Sequence, residues 1–232
     1  MAQMAMPTTS RRRGAPARTS HEEVLDAALD IVDRHGLDAL SLRAVAGAVG
    51  VTPMSLYRHV DGVDGLLDMV VSRLIERSGG IFAATGTWRE AVVAYGHALR
   101  RLISEHPAYL NAVLRRPIAN RPALTAMDGL LGSLRRAGLS PQAAADSYLT
   151  LYSFCVGFAA MEQGRAESRD RDRLAGRITG APLGETLTSS GFPHLTEAAA
   201  FLAPGFDDAR FSQALEVICA GIATACSDPS LA

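Results

Sequence analysis

The sequence contains many residues typical of the start and the end of α-helices, and almost no pattern typical of strands. Ser20 and Glu23 have the spacing of a capping box, in which each side chain satisfies an unpaired amide of the first helical turn. Gly36 is suited to end the helix that follows, and apolar residues between them recur at helical spacing. The chain is therefore predicted to fold as an all-α protein.

Similar signals predict a succession of helices along the rest of the chain. A short second helix is predicted over 42–49, between Ser41 and Gly50, and a third from Pro53 to about Val60. Further helices are predicted from near Asp64 and over 87–106, 107–114, 122–136, 140–164, 194–202 and 208–226, with a flexible loop over 165–193.

Residues 41–60 have the layout of a helix-turn-helix motif: a short helix, a turn with Gly50 and Val51, and a second short helix. Three- and four-residue spacing places Leu56 and Val60 on one side of the second helix, where they would pack in a core. The same spacing gathers polar side chains on the opposite side, and these are Thr52, Ser55, Arg58 and His59.

The motif contains arginine and histidine but no acidic residue, whereas the helix before it has five acidic side chains. Because the formal net charge is −1, attraction to a polyanion must come from a local surface such as this one. Arginine can donate two hydrogen bonds to guanine in the major groove, and hydroxyl groups can bind phosphates. We interpret the second helix as a recognition helix for double-stranded DNA; an ordinary solvated helix face is the alternative.

The run from Ser20 to Leu74 resembles the DNA-binding domain of the TetR family of bacterial transcriptional regulators. The resemblance is specific because the pattern A-x3-G-V-x4-L-Y, followed by H-V, has long fixed gaps. It extends more weakly over the C-terminal half, which is similar to the tetracycline-repressor type of ligand-binding and dimerisation domain. The similar segments there are T-W at 87–88, R-R-P at 115–117, A-G-L-S at 137–140 and M-E-Q at 161–163.

This resemblance implies a DNA-binding role for nine residues. Arg43 would approach DNA from the first helix of the motif, and Tyr57 and His59 would hold phosphates. Arg58 stands where the tetracycline repressor has an aromatic residue, so it would read a base or clamp a phosphate and the operator should differ. The predicted DNA-binding residues are Ser41, Arg43, Thr52, Pro53, Met54, Ser55, Tyr57, Arg58 and His59.

Two stretches of the C-terminal half are apolar on all sides. Residues 147–161 carry no charge, and residues 211–226 carry only Glu216. A helix of this kind must be buried on every side, so one face can line a cavity while another packs against a second subunit. In the family the corresponding two helices of each chain build a four-helix interface, which implies a homodimer.

We predict that the C-terminal half binds a small-molecule effector in an apolar pocket with scattered hydroxyl groups. Each candidate residue taken singly is also typical of ordinary core. Ala112 and Gly79 stand at family positions where histidines contact magnesium-tetracycline, so a neutral or weakly polar lipophilic molecule is expected instead. The predicted effector-binding residues are Trp88, Tyr95, His97, Leu99, Leu102, Tyr109, Met127, Leu131, Tyr148, Tyr152, Phe158, Met161 and Glu162.

Other classes of function are disfavoured. All 23 basic residues are arginine, which excludes lysine-dependent catalysis, and the chain has no HExxH, GxSxG or glycine-rich phosphate loop. We expect no enzymatic activity, no cofactor and no metal. Three cysteines without C-x-x-C spacing indicate reduced core thiols, and no uncharged stretch reaches the roughly 20 residues that cross a bilayer. A cytoplasmic protein without a membrane partner is expected.

The predicted organisation is a flexible basic arm over 1–19, a helix-turn-helix domain over 20–65 and an effector-binding and dimerisation domain over 66–232. The predicted function is a sequence-specific transcriptional regulator, a repressor that a small lipophilic effector releases from its operator. One alternative is a helical small-molecule-binding protein or enzyme that has lost DNA reading. A second alternative is an architectural protein that binds DNA without sequence preference. The net charge of −1 argues against it, because such binding depends on attraction to phosphates.

Overall fold

The computed structural model describes residues 19–77, 86–115, 120–167, 192–202 and 205–227. These ranges contain α-helices and one turn of 3-10 helix, Leu37–Ala39, with no strand among the described residues. The prediction of an all-α fold is confirmed. The helices are α1 (His21–His35), α2 (Leu42–Val49), α3 (Pro53–Leu56), α4 (Gly62–Arg77), α5 (Trp88–Glu105), α6 (Pro107–Arg115), α7 (Arg121–Arg136), α8 (Pro141–Glu167), α9 (Pro193–Leu202) and α10 (Asp208–Ser227).

The chain divides into two compact units, the first ending at Val70 and the second beginning at Val71. This division falls inside α4, slightly beyond the domain boundary predicted at residues 65 and 66. Of the predicted basic arm, residues 1–18 lie outside the described residues.

Side-chain caps start several helices where the sequence predicts them. The Ser20 hydroxyl accepts a hydrogen bond from the Glu23 amide at 3.1 Å, and the Glu23 carboxylate accepts one from the Ser20 amide at 2.7 Å. Thr87 and Glu90 form the same reciprocal pair at the start of α5. Gly36 ends α1 with a φ of 77°, a backbone conformation that favours glycine.

Two helix ends differ from the predictions. Helix α3 ends at Leu56 instead of near Val60, because the His59 amide donates to the Leu56 carbonyl only three residues back and the chain turns there. Helix α8 continues through Gly164 to Glu167, because Gly164 does not adopt the left-handed conformation of a helix cap. Residues 165–167 of the predicted loop therefore belong to α8, and residues 168–191 lie outside the described residues.

The first unit has a core that α1, α2 and α3 share. Helix α2 packs against both α1 and α3. Its inward side chains Val45 and Ala46 are buried, as are Leu25 of α1 and Leu56 of α3. This packing fixes α3 on the rest of the unit, although four residues are too few for a helix that is stable alone.

The second unit is built around α5, which packs against α6, α7, α8 and α10. Gly96 allows the close approach of α10, since a Cβ at this position would lie only 2.8 Å from the Leu215 Cδ2 atom. Cys155 and Cys219 are buried free thiols, as predicted, but Cys226 is only half-buried because it lies in the last turn of α10. The core side chains include Leu99, Leu102, Ile103, Leu130, Leu134 and Leu151.

Candidate DNA interface and effector site

The turn between α2 and α3 is formed by backbone hydrogen bonds around Gly50. Gly50 is left-handed, with φ 71° and ψ 29°, and its amide donates to the carbonyls of Ala46 and Gly47. The Val51 amide also donates to the Ala46 carbonyl, at 3.0 Å. These bonds end α2 as in a Schellman-type cap and direct the chain into α3.

Hydroxyl groups mark the start of both helices of the motif. The Ser41 hydroxyl accepts a hydrogen bond from the Ala44 amide at 3.2 Å and so caps α2. Thr52 has the backbone conformation of the α3 N-cap, but its hydroxyl makes no capping bond to an amide. It instead lies 3.0 Å from the Ser55 hydroxyl.

None of the nine predicted DNA-binding residues is buried, while Leu56 and Val60 of the same segment are. Met54 is 75% exposed and Tyr57 is 57% exposed. The other exposed members are Arg43, Thr52, Pro53 and Arg58, and the half-buried ones are Ser41, Ser55 and His59.

In the second unit, four of the predicted effector-binding residues form a tyrosine cluster: Tyr95 of α5, Tyr109 of α6, and Tyr148 and Tyr152 of α8. The Tyr95 hydroxyl donates to the Tyr148 hydroxyl at 3.4 Å, with ring centroids 5.9 Å apart. The Tyr148 and Tyr152 rings are stacked, also at 5.9 Å between centroids. Tyr95 and Tyr109 are buried, whereas Tyr148 and Tyr152 are half-buried and reach the surface.

Burial raises the pKa of the hydroxyl groups of this cluster above the ordinary value of tyrosine. Loss of hydration raises the pKa of Tyr152 to about 12, and the nearby Tyr148 adds to the effect. The pKa of Tyr95, Tyr109 and Tyr148 is raised for the same main reason. At neutral pH the cluster offers neutral hydroxyls and aromatic rings, which suit a weakly polar aromatic ligand.

A second group surrounds Arg100 of α5. Its guanidinium makes two hydrogen bonds to the Glu162 carboxylate, at 2.6 and 3.0 Å, and one ion pair with Asp208 at 2.8 Å. It also lies over the rings of Phe158 and Phe211, with its Cζ atom 5.2 and 4.8 Å from their centroids. The hydrogen bonds to Glu162 are the main reason that the pKa of Arg100 is raised. These residues connect α5, α8 and α10.

Three predicted effector-binding residues, His97, Phe158 and Glu162, belong to this second group and not to the tyrosine cluster. His97 and Glu162 line an open groove of about 400 Å³ beside Arg100. Glu162 already forms an ion pair with Arg100, at 2.6 Å.

The remaining predicted effector-binding residues differ widely in burial. Leu99 and Leu102 are fully buried core residues, and Met161 is 53% exposed. Trp88, Met127 and Leu131 are half-buried. The described residues contain no group of three or more His, Cys, Asp or Glu side chains that could hold a metal ion. No helix in the described ranges is long and apolar enough to cross a membrane.

Two family models match most of the chain. Residues 24–69 match the tetR family of bacterial regulatory proteins, and residues 83–226 match the tetracyclin repressor-like C-terminal domain. The chain belongs to the TetR family. This confirms the predicted family and the predicted class of function, a DNA-binding transcriptional regulator.

Individual TetR family proteins are similar over much of their length. The transcriptional repressor DrrR1 of Streptomyces coeruleorubidus is 32% identical over 169 residues, which are 72% of this chain but only 63% of DrrR1. The class A tetracycline repressor of Escherichia coli transposon 1721 is 28% identical, over 86% of this chain and 88% of that protein.

Among solved structures, apo ActR from Streptomyces coelicolor has a TM-score of 0.77 and 28% identity, covering 92% of this chain and 99% of ActR. ActR in complex with actinorhodin has a TM-score of 0.74 and 28% identity, covering 89% and 96%.

Sequence reasoning missed Arg100, Asp208 and Phe211 as parts of a site. The signal for Arg100 was its position four residues after Gly96 and three before Ile103, both of which are buried. That spacing puts a guanidinium on the inward side of α5, where it needs an acidic partner.

The raised pKa values of the four clustered tyrosines predict a loss of stability at high pH. In the unfolded chain a tyrosine ionises near pH 10, whereas the folded state holds the neutral form to higher pH. The stabilisation is therefore complete below about pH 10 and is lost as the pH rises through the folded pKa, about 12 for Tyr152.

Urea unfolding between pH 8 and 11.5 measures this loss of stability. Phenolate absorbance over the same range measures the ionisation of the tyrosines. Tyr148→Phe should weaken the dependence of stability on pH. Ionisation of all five tyrosines near pH 10 in the folded protein would contradict the cluster.

Proposed function

We propose that the protein is a repressor that binds a two-fold symmetric DNA operator as a homodimer and leaves it when a small, weakly polar aromatic effector binds the second unit. The observation that carries this proposal is the exposed helix-turn-helix surface, which has no acidic residue from Ala39 to Val60. The relatives support it: DrrR1 is named a transcriptional repressor, and ActR is described in a complex with actinorhodin.

The exposed side chains of this surface divide into two chemical groups. Arg58 can donate two hydrogen bonds to one guanine in the major groove, which few other side chains can do. The Tyr57 hydroxyl and the Arg43 guanidinium suit phosphate oxygens, which position the protein without reading sequence. In helix-turn-helix dimers, two such recognition helices bind half-sites about one helical turn apart. A dimer of this chain would accordingly bind a palindromic site.

Selection of bound duplexes from a random DNA pool tests sequence reading directly. We expect a two-fold symmetric motif, because a symmetric dimer presents two equal recognition helices. Arg58→Ala should weaken binding to that motif by about 1–3 kcal/mol for each half-site, and Tyr57→Phe by less. Arg121→Ala, which removes an exposed arginine from the second unit, is the matched control and should bind like the wild type.

Failure to select any motif, with the protein folded, would contradict DNA reading. It would favour the alternative of a small-molecule-binding protein or enzyme on the same fold.

The homodimer is inferred from an exposed face shared by α8 and α10, which pack on each other. We call this the α8–α10 face. On α8 its exposed residues recur every four positions, and on α10 they include a 66% exposed valine and the small residues Ala220 and Gly221. A patch of this kind on a soluble protein marks an interface, and small residues let facing helices approach closely. The members are Leu149, Ser153, Gly157, Met161, Val217, Ala220 and Gly221.

Val217→Glu should convert the protein into a monomer, because two buried carboxylates would face each other or their apolar neighbours. Sedimentation equilibrium should give twice the chain mass for the wild type and the single chain mass for this variant. Leu124→Glu, which changes an exposed leucine of α7, is the control. A wild-type monomer, or a Val217→Glu dimer, would contradict the α8–α10 face as the interface.

The tyrosine cluster is the proposed effector site in place of the wider set of predicted residues. Its half-buried members, Tyr148 and Tyr152, give a ligand access, and the buried Tyr95 hydroxyl lies behind them. An aromatic molecule with a carbonyl or hydroxyl oxygen could stack on these rings and hydrogen-bond to a neutral hydroxyl. The groove beside Arg100 is less suitable for a weakly polar ligand, because Arg100, Glu162 and Asp208 are charged and already paired with one another.

A screen of neutral phenols and quinones for release of fluorescent operator DNA tests this site. Active compounds should bind the Tyr148→Phe variant about 0.5–1.5 kcal/mol more weakly than the wild type. They should bind Arg101→Ala, a variant changed in the groove beside Arg100, as tightly as the wild type. Because the coupling between sites is reciprocal, operator DNA should weaken effector binding by the same factor. Equal effector affinity with and without operator would contradict release, and sensitivity to Arg101→Ala alone would place the site in the groove.

A further inference from the structure

We propose that Met54 reads the 5-methyl group of a thymine in each half-site of the operator. This inference rests on the proposed function and names one base that the recognition helix selects. It starts from the exposure of Met54. The Met54 side chain is 75% exposed, and few large apolar side chains in the described ranges are as accessible to solvent. Met54 is the second residue of α3, and the first residues of a recognition helix are those that meet base edges.

Exposure alone would not carry the inference, because single apolar residues are common on protein surfaces. The surroundings of Met54 add to it. The neighbouring hydroxyls of Thr52 and Ser55 lie 3.0 Å apart and pair with each other, which leaves the thioether as the longest side chain of the first turn. Pro53 is also apolar, but its ring closes on its own backbone nitrogen and reaches less far.

The major groove offers an apolar side chain one apolar group to contact, the methyl group of thymine. Each base pair presents hydrogen-bond donors and acceptors there, and the thymine methyl is the apolar feature. A methionine side chain has no strong donor or acceptor, so against any other base edge it would desolvate polar groups without replacing their hydrogen bonds. Its flexible thioether can also adapt to the position of a methyl group.

The expected effect follows from the size of the contact. Burial of one methyl-sized group contributes about 0.8 kcal/mol, which is about fourfold in affinity at roughly 1.4 kcal/mol for each factor of ten. A symmetric operator contains two such contacts, so loss of both methyl groups should reduce affinity by about 14-fold.

Deoxyuridine provides the test, because it pairs as thymine does and lacks only the methyl group. In the operator found by selection, thymines are replaced by deoxyuridine one symmetric pair at a time, and the affinity of the full-length dimer is measured at fixed salt. We expect one pair whose replacement weakens wild-type binding by about 14-fold. Met54→Ala should bind the thymine operator more weakly and should not distinguish thymine from deoxyuridine at that pair.

Two further variants separate the contact from general effects. Met54→Leu keeps an apolar side chain and should retain most of the discrimination. Leu124→Ala removes an exposed apolar side chain from α7 and should show the wild-type ratio. Circular dichroism should show equal helix content for all variants, since Met54 is exposed and contributes little to the core.

A wild type that tolerates deoxyuridine at every pair overturns the inference, as does a selected motif without thymine. Discrimination that persists unchanged in Met54→Ala also overturns it. None of these results contradicts the proposed function if Arg58→Ala still weakens operator binding. Failure to select any motif instead overturns the proposed function, and the inference with it.

Discussion

The left-handed turn at Gly50 is the constraint on which the helix-turn-helix surface depends. Its amide bonds to the carbonyls of Ala46 and Gly47 close α2, and with φ at 71° the position strongly favours glycine. The turn places Leu56 in the core, and packing against α2 gives this helix of only four residues a fixed place. Because Leu56 fixes one side of this segment in the core, Met54 of α3 and Arg58, which lies two residues beyond the end of α3, are exposed to solvent.

Charge distribution reinforces this geometry. The whole chain has a net charge of −1, so binding to DNA cannot rest on bulk attraction between a basic protein and a polyanion. Acidic residues are concentrated on the outer side of α1, and the helix-turn-helix surface has none. Attraction to phosphates must therefore come from local charges, while contacts to base edges supply sequence specificity.

Much of the fold could be predicted from the sequence because helix ends are determined by interactions between residues close together in the chain. Ser20 with Glu23, and Thr87 with Glu90, act within one helical turn, and the structure shows both reciprocal pairs. Errors arose where a glycine was ambiguous, as at Gly164, which continues a helix instead of ending it. The site in the second unit was harder to predict because it depends on contacts between residues far apart in sequence. The Tyr95 and Tyr148 hydroxyls meet across 53 positions, and Arg100 and Glu162 across 62.

The cluster around Arg100 connects the two proposed roles of the second unit. Through Glu162 it holds α8, which carries Tyr148 and Tyr152 and one side of the α8–α10 face. The bond to Asp208, whose side chain is 94% exposed, is weak because water screens it, whereas the two-point contact to the less exposed Glu162 is stronger. Arg100 therefore anchors α8 to α5 more firmly than it anchors α10. An effector that moves Tyr148 against Tyr95 would act on this stiffer connection, and because α8 is one continuous helix, the displacement would also reach the α8–α10 face.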